Sequence, residues 1–156
     1  MQKITLFPWF DTQAEEAANF YVSVFPNSKV VQTSRYGDAG PGPEGAVMTV
    51  DFELNGQKYV ALNGGPEYTF SEAISFYIEC ADQAEIDYYW KALTEGGEPG
   101  PCGWLKDKFG LSWQVAPTRL LELIGDPDSE RANRAMQAMM QMGKIVLADI
   151  EKAADG

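Results

Sequence analysis

The sequence predicts an α+β protein made of paired β-α-β-β-β modules followed by a C-terminal helical extension. Three observations predict it. First, the chain repeats one phrase: Thr12-Gln13-Ala14-Glu15 opens one helical pattern and Asp82-Gln83-Ala84-Glu85 opens another. Each reads as a capping box, in which a Thr or Asp side chain accepts from free helix N–H groups and a Glu three residues on reaches back. Second, Asn55-Gly56 lies between two apolar runs, the strongest short signal for a β-hairpin. Third, after Pro117 the alternating pattern gives way to helical spacing.

Residues 3–9 read as a strand. Ala14, Ala17, Ala18, Tyr21, Val24 and Phe25 then form a helical apolar stripe that stops at Pro26-Asn27. A strand at 29–35 leads into a loop rich in Gly and Pro at 37–45, whose glycines permit lid-like motion. The hairpin pairs 47–54 with 58–63. Module 1 thus spans about 1–66. Module 2, about 72–117, starts with a strand at 74–80. A helix from Gln83 buries Ile86, Tyr89, Trp90 and Leu93 and ends at Gly96-Gly97. The strand expected after that Gly pair is hard to see. Trp104-Leu105, a turn at Asp107–Gly110 and a strand at 111–116 complete the copy. In the extension, 118–156, a short helix covers 119–124. A second starts at Asp126-Pro127, with Pro at its first helical position, and ends near Gly143. Ala132, Ala135, Met136, Met139 and Met140 form its stripe, which reads as packing. A last helix lies around Ile150.

Composition narrows the function. A net charge of −11 on 156 residues argues against nucleic acid, whose binding needs Lys and Arg to displace phosphate counterions, and against anionic membrane surfaces. No apolar run approaches a membrane span, and the first residues lack a signal-peptide pattern, so a cytoplasmic location is expected. There is no histidine. The two cysteines, Cys80 in an apolar strand and Cys102 in a Gly/Pro loop, read as free thiols.

Alternation sorts the strand residues onto faces. Ser75, Tyr77 and Glu79 lie opposite Ile74, Phe76, Ile78 and Cys80. Ser112 and Gln114 lie opposite Leu111, Trp113 and Val115. Tyr59, Ala61 and Asn63 form the more polar set of their strand. Carrying the repeat back to module 1 sets Thr5 against Ser75, Phe7 against Tyr77 and Trp9 against Glu79. The mixed faces would line a cleft that is aromatic with a few neutral polar groups, suited to a small organic ligand. Its expected lining is Thr5, Phe7, Trp9, Asn63, Ser75, Tyr77, Trp104 and Gln114.

Several phrases resemble the PhnB-like branch of the glyoxalase/bleomycin-resistance/dioxygenase (vicinal oxygen chelate) superfamily. They include Phe10-Asp11, Phe52-Glu-Leu-Asn-Gly56, Ala61-Leu-Asn-Gly-Gly-Pro66, Ser75-Phe-Tyr-Ile-Glu-Cys80 and, most specifically, Cys102-Gly-Trp-Leu-Lys-Asp-Lys-Phe-Gly-Leu-Ser-Trp-Gln114. The resemblance implies a glyoxalase-like domain over 1–117, a homodimer, and a cleft that in superfamily enzymes holds a divalent metal on His and Glu ligands. The implied ligand positions here are Thr5, Asn63 or Ala61, Ser75 and Gln114. None is a His or a carboxylate, so no cofactor is expected.

The expected function is metal-free binding of a small molecule. The alternative is an enzyme of the same superfamily that uses displaced carboxylates, Asp51, Glu53 and Glu79, for metal binding or acid–base work. Glu79 and the loop thiol Cys102 are the candidate catalytic groups. A third reading is a dimeric structural protein whose cleft is filled by its own side chains. The branch also carries the label 3-demethylubiquinone 3-methyltransferase-like. No Gly-x-Gly-x-x-Gly turn follows a first strand here, so the sequence offers no site for S-adenosylmethionine.

Overall fold

A computed structural model describes residues 1–156. The chain forms two compact units, Met1–Phe70 and Ser71–Gly156. The same topology appears in each. In the first unit β1 (Trp9–Phe10), α1 (Ala14–Val24), β2 (Lys29–Arg35), β3 (Val47–Leu54) and β4 (Gln57–Asn63) give a four-stranded sheet ordered β1-β4-β3-β2. In the second, β5 (Ser75–Cys80), α2 (Gln83–Thr94), β6 (Glu98–Pro99), β7 (Trp104–Lys106) and β8 (Ser112–Pro117) give the order β5-β8-β7-β6. In both, the first and last strands run parallel and the remaining pairs antiparallel. The repeat seen in the sequence is therefore a repeat of strand order. No helix of the chain is long and apolar enough to cross a membrane.

The first unit departs from expectation at its start. The strand expected over 3–9 is reduced to Trp9–Phe10. The preceding segment still follows β4, since Leu6 and Pro8 accept from the N–H groups of Val60 and Leu62. Pro8 has no N–H to give in return. Ala14, Ala17, Ala18 and Tyr21 of α1 are buried along with Val50 and Phe52 of β3. Tyr21 stacks on Phe52, and Phe52 on its cross-strand partner Tyr59. The helix-facing side of β4 is thus Tyr59, Ala61 and Asn63, the set that alternation assigned to a cleft. Ala61 is fully buried. The opposite side of this sheet carries Trp9, Leu62, Thr49, Asp51 and Glu53 by register.

Capping also differs between the two copies. In α2 the box forms as read: Asp82 Oδ1 accepts from Glu85 N at 3.0 Å, and Glu85 Oε2 accepts from Ala81 N at 2.9 Å. In α1 the cap residue is Gln13, and no side chain of the cap bonds the helix. Asn63 does this work from β4, its Oδ1 accepting from Ala14 N at 2.8 Å. At the hairpin, Asn55 and Gly56 both adopt positive φ, 49° and 84°, as a two-residue turn of this kind requires.

The strand that was hard to see is β6, two residues long and containing Pro99, an edge strand paired only with β7. The second unit also holds α3 (Thr118–Ile124), α4 (Ser129–Met140) and α5 (Leu147–Asp155). The second of these starts later than expected. Asp128, not Asp126, is the cap, accepting from Glu130 N and Arg131 N, while Asp126 turns the chain by accepting from Asp128 N. It stops at Met140, ahead of Gly143. Of its stripe, Ala135 is buried but Met136 and Met140 are exposed. Arg134 ties this helix to the end of α5, donating to the carbonyls of Ala153 and Ala154.

Candidate functional site

The second unit brings four of the expected ligand-binding residues onto one sheet face. The register places Tyr77 beside Gln114 and Gln114 beside Trp104, with Ser75 beside Ser112 and Ser112 beside Lys106. Gln114 Nε2 donates to Ser75 Oγ at 2.9 Å. Tyr77 is 42% exposed, and burial together with the Glu79 charge raises its phenol pKa. Glu79 is exposed on the same side of β5. The other side of the sheet packs inward: Ile78, Cys80, Trp113 and Val115 are buried.

A recess of about 180 Å³ opens beside this face, lined by Trp104, Lys106, Ser112, Glu98 and Glu72 among others. Ser112 is 1% exposed, and its hydroxyl is buried without a hydrogen-bond partner. Buried polar groups are nearly always paired, so this hydroxyl is an unmet donor and acceptor in the recess wall. Lys106 Nζ lies 2.7 Å from Glu72 Oε1. That hydrogen bond holds the ammonium pKa above its ordinary value and the Glu72 carboxyl below its own. Glu98, the register partner of Lys106, adds a second carboxylate. Lys106, Glu98 and Glu72 were not singled out in the sequence, and Ser112, though placed on the mixed face, was left out of the expected lining. The signal was there for two of them: Ser112 is two residues before Gln114 and Lys106 two after Trp104, both in phase with the face.

The turn entering β8 is fixed by Asp107, 3% exposed. Its Oδ1 accepts from Phe109 N and Leu111 N, and its Oδ2 from Trp113 Nε1, at 2.8–3.1 Å. A carboxylate accepting three N–H groups is a strong local constraint, and it sets the start of the strand that carries Ser112 and Gln114.

The remaining candidates lie elsewhere. In the first unit Thr5 and Phe7 are exposed on the extended segment before β1. Trp9 Nε1 donates to Gly65 O at 2.8 Å, its ring meets Tyr68 edge-on, and Gly64 lies so close that a Cβ there would strike the indole. Asn63 is on the helix side of its sheet, where its amide also donates to Val47 O. Asp51 has Gln32 and Val60 as register neighbours, while Glu53 lies between Lys29 and Lys58 and is 4.0 Å from the Lys29 ammonium.

The implied metal positions offer poor donors. Ala61 has none, the Asn63 amide is committed to Ala14 and Val47, and Ser75 and Gln114 bond each other. The set is neutral throughout; neutral oxygens can supplement a hard-cation site, but transition metals want imidazole, thiolate or carboxylate. No three His, Cys, Asp or Glu side chains come together in a group able to hold a metal ion. The residues present do not fit the superfamily's metal centre.

Cys80 is fully buried, and its thiol pKa is pushed up to about 12, chiefly by burial and further by the Glu85 and Asp82 charges. Cys102 is half-buried at positive φ, 57°, with its Sγ 3.8 Å from Met140 Sδ.

The family described as 3-demethylubiquinone-9 3-methyltransferase matches residues 2–116. The chain belongs to this family, the PhnB-like branch of the glyoxalase/bleomycin-resistance/dioxygenase fold. Among solved structures, it is similar to the PhnB protein of Bacillus cereus, itself titled a 3-demethylubiquinone-9 3-methyltransferase. The two share 40% identity over 75% of this chain and 100% of that one, with a TM-score of 0.67. A protein from Pseudomonas aeruginosa shares the fold at 20% identity, covering 75% of this chain and 98% of its own, with a TM-score of 0.62. A glyoxylase/bleomycin resistance protein/dioxygenase domain from Frankia matches at 14% identity over 75% and 92%, with a TM-score of 0.47. No curated protein matches the chain. The PhnB-like match ends where the second module ends, so α3–α5 lie beyond it.

Proposed function

We propose that this PhnB-like protein binds a small organic molecule on the open sheet face of its second unit, without a metal. The observation that carries the reading is the Ser112 hydroxyl, buried and unpartnered in the wall of a recess that Trp104 and Lys106 also line. A ligand with a polar group at Ser112 and Lys106 and a flat or apolar body along Trp104 would satisfy that hydroxyl and bury the indole. Gln114, whose Nε2 donates to Ser75 on the same sheet face, would offer its amide oxygen to a ligand that extends along that face from the recess.

Methyl transfer, the activity in the family's description, finds no support in these residues. Neither sheet carries the Gly-rich turn and parallel order of a nucleotide-binding fold. We extend the proposal to a homodimer, as the family resemblance implies, and to a cytoplasmic location, as the first residues and the lack of a membrane-length apolar run suggest.

The test is a thermal-shift screen of small aromatic and polar compounds on tag-free protein, with and without EDTA. Ligands should stabilise equally in both. Trp104→Ala and Gln114→Ala should each lower the affinity of a hit by about tenfold, the cost of one good polar or stacking contact. Stoichiometric divalent metal, or loss of binding in EDTA, would overturn the reading. So would saturable binding of S-adenosylmethionine.

A further inference from the structure

A separate, open cavity of about 460 Å³ is lined wholly by residues of the first unit. Asp11, Thr12 and Glu15, at the start of α1, form one wall. The loop after β2 forms another, with Pro41, Gly42 and Pro43 beside Tyr36. The floor is Asn63-Gly64-Gly65-Pro66.

These walls are fixed to one another. Asn63 Oδ1 accepts from Ala14 N, its Nδ2 donates to Val47 O, and its carbonyl accepts from the Tyr36 hydroxyl. One residue thus joins the helix start, β3 and the loop. The loop itself is wrapped on the Tyr36 ring: a Cβ at Gly40 or Gly42 would come within 2.7 or 2.4 Å of it. Tyr36 and the residues that close the loop also exchange backbone bonds, Tyr36 N with Ala46 O and Gly45 N with Tyr36 O. A segment whose glycines would permit motion is thereby held as a wall, and the cavity is preformed.

The lining is one-sided in charge. It holds two carboxylates, Asp11 and Glu15, and no Lys or Arg. The rest is Pro, Val, Ala, Gly and the Tyr36 ring, with Thr12 and Asn63 as neutral polar groups. An anion would meet two like charges. The helix N-terminus, which otherwise favours anions, has its Ala14 N–H already taken by Asn63. A bare metal ion would find two carboxylates in a space far larger than itself.

We propose that this cavity is a second binding site, for a small organic cation. An ammonium or guanidinium would lie at Asp11 and Glu15, with a compact apolar body against the prolines and Tyr36. The volume falls in the range of small-molecule pockets. Exposed carboxylates attract only weakly by themselves, so the apolar walls supply much of the affinity and the carboxylates choose the sign of the ligand.

The experiment is calorimetry on the full chain with three probes of one shape: 2-phenylethylamine, 2-phenylethanol and phenylacetate. The amine should bind one per chain, the alcohol at least about tenfold more weakly and the acid not at all. Asp11→Asn combined with Glu15→Gln, both exposed and isosteric, should remove that preference with the melting temperature unchanged. Ser112→Val, in the other unit, should leave amine binding as it was, which separates this site from the one proposed above. Amide shifts at Gly42 and Gly64 on adding the amine would locate it. Equal binding of amine and alcohol, wild-type amine affinity in the double variant, or no binding of the amine would each overturn the proposal.

Discussion

At the scale of single residues, the two thiols show how environment divides one chemistry. Cys80 sits in β5 with its side chain fully buried, and burial pushes its pKa up to about 12, far above that of a free thiol. The thiolate is the reactive form, so Cys80 should resist dithionitrobenzoate at pH 8 in the native protein and react once the chain is unfolded in urea. The same shift has a sign for stability. Between the ordinary thiol pKa and about 12 the unfolded chain releases this proton while the folded chain keeps it. The unfolded state then binds fewer protons, so stability falls as pH rises through that window. Cys80→Ala should flatten that decline in urea melts taken at pH 8, 9.5 and 10.5. Asn63 makes a different residue-scale point. Its polarity suggested a ligand contact, and it does line the cavity of the first unit, while its amide and carbonyl also hold together a helix start, a strand and a loop. A polar residue at a strand end serves either purpose, and sequence alternation has no means of telling which.

At the scale of elements, the two helix starts look alike in sequence and differ in what satisfies them. Asp82→Ala should cost about 1 kcal/mol, the usual worth of a cap. Thr12→Ala should cost close to nothing, because Thr12 makes no cap bond. Asn63→Ala should cost more than either, about 2 kcal/mol or above, since it strips the cap of α1 and a bond to β3 together. Chemical denaturation of the three variants measures the order directly. The hairpin at Asn55-Gly56 and the capping box of α2 were legible because each depends on residues adjacent in the chain. β6 was not, because a two-residue edge strand with Pro99 owes its existence to β7 alone. The shortened β1 follows from Pro8, whose missing N–H could be read in advance. The clasp of Gly40 and Gly42 on Tyr36 could not, since glycines in a loop announce flexibility in sequence and here permit close packing. The candidate site was partly legible from strand alternation: Ser75, Tyr77, Trp104 and Gln114 fall in phase on their strands, while Glu72 reaches Lys106 from a stretch with no periodicity.

At the scale of the whole molecule, the exposed side chains bear on assembly. Met136 and Met140 are four residues apart on α4, 39% and 58% exposed, and Leu121 of α3 is half exposed as well. For the homodimer proposed above, sedimentation equilibrium should give about twice the chain mass of 17.2 kDa; a single species at the chain mass sinks it. The strand order carries a further consequence, for synthesis. In each unit the opening segment pairs with the last strand, so Trp9 waits for Leu62 and Ser75 for Ser112. Such pairings between distant residues form late and set the pace of folding. On a ribosome the first sheet cannot be completed until its fourth strand has left the exit tunnel, and by then β1, α1, β2 and β3 have already emerged. The second sheet repeats the wait over a shorter span. A nascent chain therefore passes through two successive periods in which the opening strand of a sheet is present and its parallel neighbour, the last strand, is not, and those two intervals are when an exposed strand edge is open to pairing with the wrong chain.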